Sequence, residues 1–211
     1  MTPAENPRTS LLELLARLSF RLGDFTLSSG AKSDYYIDCR TTTLHAEGGR
    51  LTGLAILDLL DEHGLRPAAV GGLTMGADPV VSAVAIASAS RAQQRPGTPL
   101  IHGFLVRKAE KTHGTGRRTE GFCEKDAPVV IVDDVCTTGA STITAIEAAR
   151  EAGMRVVAAV CLVEREEAGG RAALEAACQG APFLRLFTAE DVRAAHVRQL
   201  GSQGQARRSL N

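Results

Sequence analysis

The stretch VVIVDDVCTTGAST, residues 129–142, sets two adjacent carboxylates, Asp133 and Asp134, at the end of an apolar run, then adds Thr137, Thr138, Gly139, Ala140, Ser141 and Thr142. A turn of hydroxyls and glycine that opens a helix offers unpaired backbone N–H groups and the positive end of the helix dipole, which suits a phosphate. Carboxylates repel phosphate but accept hydrogen bonds from vicinal hydroxyls. A ligand carrying a phosphate at one end and a diol a short distance away satisfies both halves, and a ribose 5-phosphate has that layout. Read alone, the acid pair is equally well two residues that end a strand and cap a helix. Cys136, within the loop, has no histidine nearby in sequence to activate it and reads as small filler.

A second constellation is FLVRKAEKTHGTGRRTEG, residues 104–121, which gathers Arg107, Lys108, Lys111, His113, Arg117 and Arg118 without apolar periodicity. A run of charge usually just faces water. Here it joins two apolar segments, and long loops inside compact domains are disproportionately lids. Its cations suit a polyanionic leaving group such as pyrophosphate. GGLTMGADP, residues 71–79, places Thr74, Met75 and Gly76 after another apolar run and reads as a backbone N–H cradle for the same group.

These residues need a scaffold that brings them together. From Ala68 onward the chain alternates AAVGGL, a helix from about Asp78 to Gln93, LIHGFLV, the cationic loop, VVIVDDV, a helix from about Gly139 to Ala152, and RVVAAVCLV. Near-continuous apolar strands alternating with helices predict an α/β fold with a mostly parallel sheet covered on both faces, with ligands at the carboxyl ends of its strands. Upstream, Ser10 is expected to cap a helix carrying leucines at 11, 12, 14, 15 and 18, with Gly23 as its stop. Two short β-like runs follow in DFTLSSGAKSDYYIDCR, then a striped helix ending at Gly64. The expectation is a single domain over 1–211: an N-terminal helix and hood to about 45, a core over about 46–187, and a flexible tail over about 199–211.

Lys+Arg and Asp+Glu balance at 24 each in 211 residues, so no overall basic field argues for a nucleic-acid partner. The five cysteines lack a C-x-x-C pair, which disfavours a disulfide framework or zinc site and fits a reducing cytoplasm. No apolar run approaches the roughly 18 residues of a membrane span, and no signal-like core is seen near the N-terminus.

The string from 129 to 142 resembles the 5-phosphoribosyl 1-diphosphate (PRPP) motif of type I phosphoribosyltransferases, and R-K-x-x-K-x-H-G followed by E-G resembles the catalytic loop of the orotate phosphoribosyltransferase family. FTLSSGAKSDYYIDCR is similar to that family's N-terminal substrate loop, and VEREEAGG to its arginine segment after a strand; the likeness runs from about Phe25 to Gly170. It implies the type I fold, a small N-terminal hood and a mobile catalytic loop that closes over the neighbouring subunit of a homodimer. It implies that Lys111 and His113 stabilise departing pyrophosphate, with Asp134 the third catalytic residue. PRPP would further touch Arg107, Lys108, Asp133, Thr137, Thr138, Gly139, Ala140, Ser141, Thr74, Met75 and Gly76. Orotate would meet Arg165, Thr137, Tyr35, Tyr36 and Ser28. Mg²⁺ is implied as cofactor, held chiefly by PRPP and water rather than by a protein cage. Ser28 and Met75 stand where many members carry lysine. A transferase for another base is disfavoured by the lid and Arg165, and a PRPP-sensing regulator that binds nucleic acid by the absence of a basic face.

Overall fold

A computed structural model describes residues 6–26, 32–108 and 118–208, with side chains to 202. Helix α1 (Pro7–Leu18) leads to an antiparallel hairpin of β1 (Phe20–Thr26) and β2 (Lys32–Ile37), then the short α2 (Arg40–Thr43) and α3 (Ala46–Glu62). The core follows as β3 (Ala69–Leu73), α4 (Ala77–Gln94), β4 (His102–Val106), β5 (Thr119–Gly121), β6 (Pro128–Cys136), α5 (Ala140–Glu151), β7 (Arg155–Glu164), α6 (Arg171–Cys178), β8 (Phe183–Thr188) and α7 (Ala189–Arg208). The six-stranded sheet has the order β5-β4-β3-β6-β7-β8, parallel except for β5 at one edge.

The apolar runs are continuous because both faces are covered. Along β6, Val130 and Val132 join one buried cluster with α1, α3, α4 and α7, while Val129 and Ile131 join another with α5 and α6. That split is the two-residue alternation of a strand between two helical layers. The strand order reverses between β3 and β6, and such a reversal opens a crevice at the strands' carboxyl ends.

The helix boundaries near the N-terminus differ from the sequence expectation. Asn6, not Ser10, caps α1: its side chain accepts the Arg8 N–H at 2.9 Å, and Pro7 occupies the first turn, where its missing N–H costs nothing. The helix ends at Ser19 rather than Gly23, which lies within β1. The leucines of α1 share a core with α3 and α7, so this helix is integral to the packing. At the other end of the chain the backbone is still helical at 199. Helix α7 continues to Arg208, tied to α1 by a 2.9 Å hydrogen bond from Gln199 Nε2 to the Glu13 carbonyl and by His196 Nδ1, 2.7 Å from the Ala16 carbonyl.

The paired glycines of AVGGL let β3 lie close to its neighbours. A Cβ on Gly72 would stand 2.1 Å from the Val132 carbonyl oxygen and 2.5 Å from Ala77 Cβ. Backbone cannot yield as a side-chain tip can, so Gly72→Ala is expected to cost about 3 kcal/mol of unfolding free energy through overpacking. Urea denaturation checks this, and an unchanged midpoint would show that β3 and β6 do not approach this closely.

Candidate active site

The acid pair lies near the carboxyl end of β6, which runs two residues further to Cys136, and the two carboxylates have different tasks. Asp133 is buried; its Oδ2 accepts the Thr142 hydroxyl at 2.8 Å, which ties the strand to the first turn of α5, and its Oδ1 accepts the Asp134 N–H at 3.0 Å. Asp134 is half-buried and accepts the Val135 N–H through Oδ1 at 2.8 Å. Burial pushes the Asp133 carboxyl far up, and the neighbouring charge of Asp134 pushes it further. Asp134 is raised as well, again by burial, with its backbone hydrogen bond and the Arg40 guanidinium pulling the other way. Two desolvated like charges side by side are a costly arrangement that folding alone does not need.

Beyond them the chain leaves the sheet through Thr137 and Thr138, both exposed, to Gly139, whose φ of +79° lets the chain turn into α5. The loop is seated on α6: a Cβ on Gly139 would meet Leu174 Cγ at 2.7 Å, and one on Gly170 would meet the Thr137 carbonyl oxygen at 2.2 Å. Ala140 and Ser141 open α5 toward solvent, so the loop and helix start remain accessible to an anion.

The loop after β3 reaches the same crevice. The Thr74 N–H donates to the Val106 carbonyl at 2.9 Å, the Thr74–Met75 peptide is cis, and Met75 is exposed. Gly76 lies so near the acids that an added Cβ would be 2.5 Å from Asp134 Oδ1 and would displace that carboxylate. Arg107, after β4, pairs with Glu120 at 3.4 Å, and Lys108 is exposed. Lys111, His113 and Ser28 lie outside the described residues.

Arg165 follows β7, and its backbone N–H donates to the Cys136 carbonyl at 2.8 Å, which holds the residue's main chain beside the acid-and-threonine loop. Its side chain is almost fully buried against the hairpin. The guanidinium lies 4.5 Å from the Tyr35 ring centroid; Nε donates to Tyr35 Oη and Glu167 Oε1, both at 2.9 Å, and Nη2 to Ser33 Oγ at 3.3 Å. Tyr35 in turn stacks on Phe20 at 5.3 Å and donates its hydroxyl to Glu167. Burial and that acceptor push the Tyr35 hydroxyl up to about 12. Glu167 is held below its ordinary value: burial works against it, but the bonds from Tyr35 and Arg165 win.

The tyrosines expected to act together are separated by strand alternation. Tyr36 points away from Tyr35, packs against Phe25 at 5.5 Å, and stands within electrostatic reach of Arg40 instead of beside Arg165. Arg40 and its partner Asp38, joined through Arg40 Nε to Asp38 Oδ1 at 2.8 Å, are site neighbours that sequence reasoning missed, since both act electrostatically on Asp134. They stand in the YYIDCR segment, so the signal was present. Glu164 was missed too: buried, it accepts from Arg171 and Arg185, each at 2.5 Å, and so ties α6, the seat of the threonine loop, to β7 and β8. Burial would raise its carboxyl, but these arginine bonds hold it below the ordinary range.

The assembled crevice presents, side by side, an exposed helix start suited to phosphate, a carboxylate pair, and an arginine backed by an aromatic ring. A family model described as a phosphoribosyl transferase domain matches residues 80–174. An orotate phosphoribosyltransferase of Streptomyces coelicolor is 41% identical over 185 residues, covering 88% of this chain and 96% of that protein. Another, from Thermosynechococcus vestitus, is 43% identical over 188 residues, covering 89% and 93%. The crystal structure of the Mycobacterium tuberculosis orotate phosphoribosyltransferase in complex with PRPP superposes with a TM-score of 0.69 at 34% identity, covering 88% of this chain and 98% of that one. A Leishmania tarentolae adenine phosphoribosyltransferase, 15% identical at a TM-score of 0.62 over 89% of this chain and 91% of its own, shares the fold. The chain thus has the type I phosphoribosyltransferase fold and belongs to the orotate phosphoribosyltransferase family.

Proposed function

We propose that this protein transfers the 5-phosphoribosyl group of PRPP to orotate, giving orotidine 5′-monophosphate and pyrophosphate, as a step of pyrimidine biosynthesis. The observation that carries this reading is the main-chain hydrogen bond from the Arg165 backbone N–H to the Cys136 carbonyl, which starts the residue that carries a cation for a base carboxylate next to a phosphate loop and a diol-binding carboxylate. Thr137–Ser141 take the 5′-phosphate, Asp134 with Asp133 behind it takes the ribose hydroxyls, and Thr74–Gly76 with Arg107 and Lys108 take the diphosphate. Arg165, with Tyr35 and Thr137, orients the orotate ring so that its anionic nitrogen faces the sugar carbon. Asp134 also stands where positive charge develops on the ribose. Lys111 and His113 neutralise the leaving group, with His113 a proton donor to it. Positioning and charge stabilisation, rather than covalent chemistry, carry the rate.

Mg²⁺ is part of the proposal. The ion would be held chiefly by PRPP and water: both Asp133 oxygens already accept hydrogen bonds, which leaves half-buried Asp134, beside the space that a Cβ on Gly76 would fill, as the carboxylate near its water shell. When bound, the ion supplies neutralising charge to the diphosphate. We also propose a homodimer that exchanges the cationic loop. The exposed apolar side chains of Leu44, Met75 and Ile86 support it, as does a groove of about 740 Å³ between the α2–α3 turn and α4. A cytoplasmic location is supported by five unpaired cysteines. Among the described residues no helix is long and apolar enough to cross a membrane.

The test is orotate consumption with and without PRPP and Mg²⁺, on the parent and on Arg165→Lys. Lysine keeps the charge but not the two-pronged donor geometry. The variant's Michaelis constant for orotate is expected to rise about tenfold to a hundredfold, the worth of a hydrogen bond to a charged group, while that for PRPP stays within a factor of about two. An unchanged orotate constant would move the base site away from Arg165.

A further inference from the structure

Arg165 already holds a carboxylate. Glu167 Oε1 receives both Arg165 Nε, at 2.9 Å, and the Tyr35 hydroxyl, and these are donors that an acidic base would need. Glu167 sits on a one-turn 3₁₀ segment (Glu166–Ala168) with its side chain about half exposed, whereas the Arg165 side chain is 9% exposed. The cation and phenol are therefore fixed, and the carboxylate is the member free to leave. Its withdrawal leaves Arg165 with Ser33 Oγ and the Tyr35 ring, returns Glu167 to water, and opens Arg165 Nε and the Tyr35 hydroxyl to an incoming carboxylate.

From this juxtaposition we propose that Glu167 is an internal competitor of the substrate carboxylate, occupying the Arg165–Tyr35 donor pair when the site is empty and swinging out when an acidic pyrimidine enters. The inference rests on Arg165 being the base-carboxylate site, as argued above. The exchange replaces one charge-assisted pair by another, so the buried guanidinium stays paired in both states. Affinity for the acidic base is lowered by the cost of displacing Glu167. A base lacking a carboxylate has no such group to offer in exchange and leaves Glu167 in place, so Glu167 lowers affinity for the acidic base while leaving that for a neutral base nearly unchanged.

Glu167→Gln tests this, since an amide keeps the size and a hydrogen-bond acceptor but loses the charge. The Michaelis constant for orotate is expected to fall about three- to tenfold, the worth of a half-exposed charged hydrogen bond, with kcat changing less. The inhibition constant of uracil should move by less than about twofold, because the exchange gains nothing from a neutral base. In the Arg165→Lys background the benefit of Glu167→Gln should disappear, giving a coupling between the two positions. A spectrophotometric titration gives a readout apart from activity: the chain has only two tyrosines, and loss of the Glu167 charge should lower the raised Tyr35 phenol. If Arg165→Lys raises the orotate constant while Glu167→Gln leaves it unchanged or raises it, Glu167 is a brace and the competitor role is overturned alone. If neither variant moves the orotate constant, the base-site assignment and the inference fall together.

Discussion

Asp134→Asn is expected to yield a protein that melts a few degrees higher than the parent and has lost most of its turnover. The first half follows from sign. Burial raises the Asp133 and Asp134 carboxyls above their unfolded values, and the Asp134 charge raises Asp133 further. A folded-state value above the unfolded one means the pair opposes folding at neutral pH, and the opposition is relieved progressively as pH falls from the folded value to the unfolded one. Asparagine removes one charge and keeps a carbonyl oxygen for the Val135 N–H, which Asp134 accepts at 2.8 Å. A gain of about 1 kcal/mol corresponds to roughly 2–4 °C in a chain of this size. The second half follows from chemistry: the amide is a weaker acceptor for ribose hydroxyls and offers no charge to a developing cation, a loss of about a hundredfold or more in kcat/KM. Calorimetric melting of the ligand-free variant, PRPP titration and steady-state rates check it together. A lower melting temperature would make Asp134 a structural residue, and parental PRPP affinity would remove the carboxylate from the ribose site.

Lys111→Ala should cut turnover roughly a thousandfold with no change in melting temperature, if its charge is needed mainly in the transition state. The decisive form of the experiment mixes dead variants. Asp134→Ala lacks a ribose carboxylate but keeps its loop, and Lys111→Ala has the converse defect. In a co-refolded equal mixture, about a quarter of parental sites should regain activity, because random pairing makes half the dimers mixed and each has one intact combination. If mass spectrometry verifies mixed dimers and they stay inactive, the loop serves its own subunit or Lys111 lacks this role.

Much of the molecule was legible in the sequence because the relevant physics is local. Strand and helix periods write themselves into side-chain order, so VVIV, AVGG and VVAAVCLV announced buried parallel strands, and DD followed by TTGAS announced a phosphate loop at a strand's end. Alternation in β6 also required Asp133 and Asp134 to diverge. Which one would turn to α5 and which to the crevice depended on where that helix packed, and only the Thr142 contact decided it. The same holds for Tyr35 and Tyr36, adjacent in sequence and opposite in direction. The bond between Arg165 and Tyr35 spans 130 positions, and no local pattern encodes it. It exists because α1, α3 and α7 share one buried cluster with Phe20 and Tyr35, which holds the hairpin against the end of β7. Nor could local composition reveal that α7 docks onto α1 through His196 and Gln199. Residue order determined the elements and the chemical groups they carry. The closing of the core determined which groups meet, because burial of apolar surface is non-directional and only the packed whole selects among the arrangements it allows.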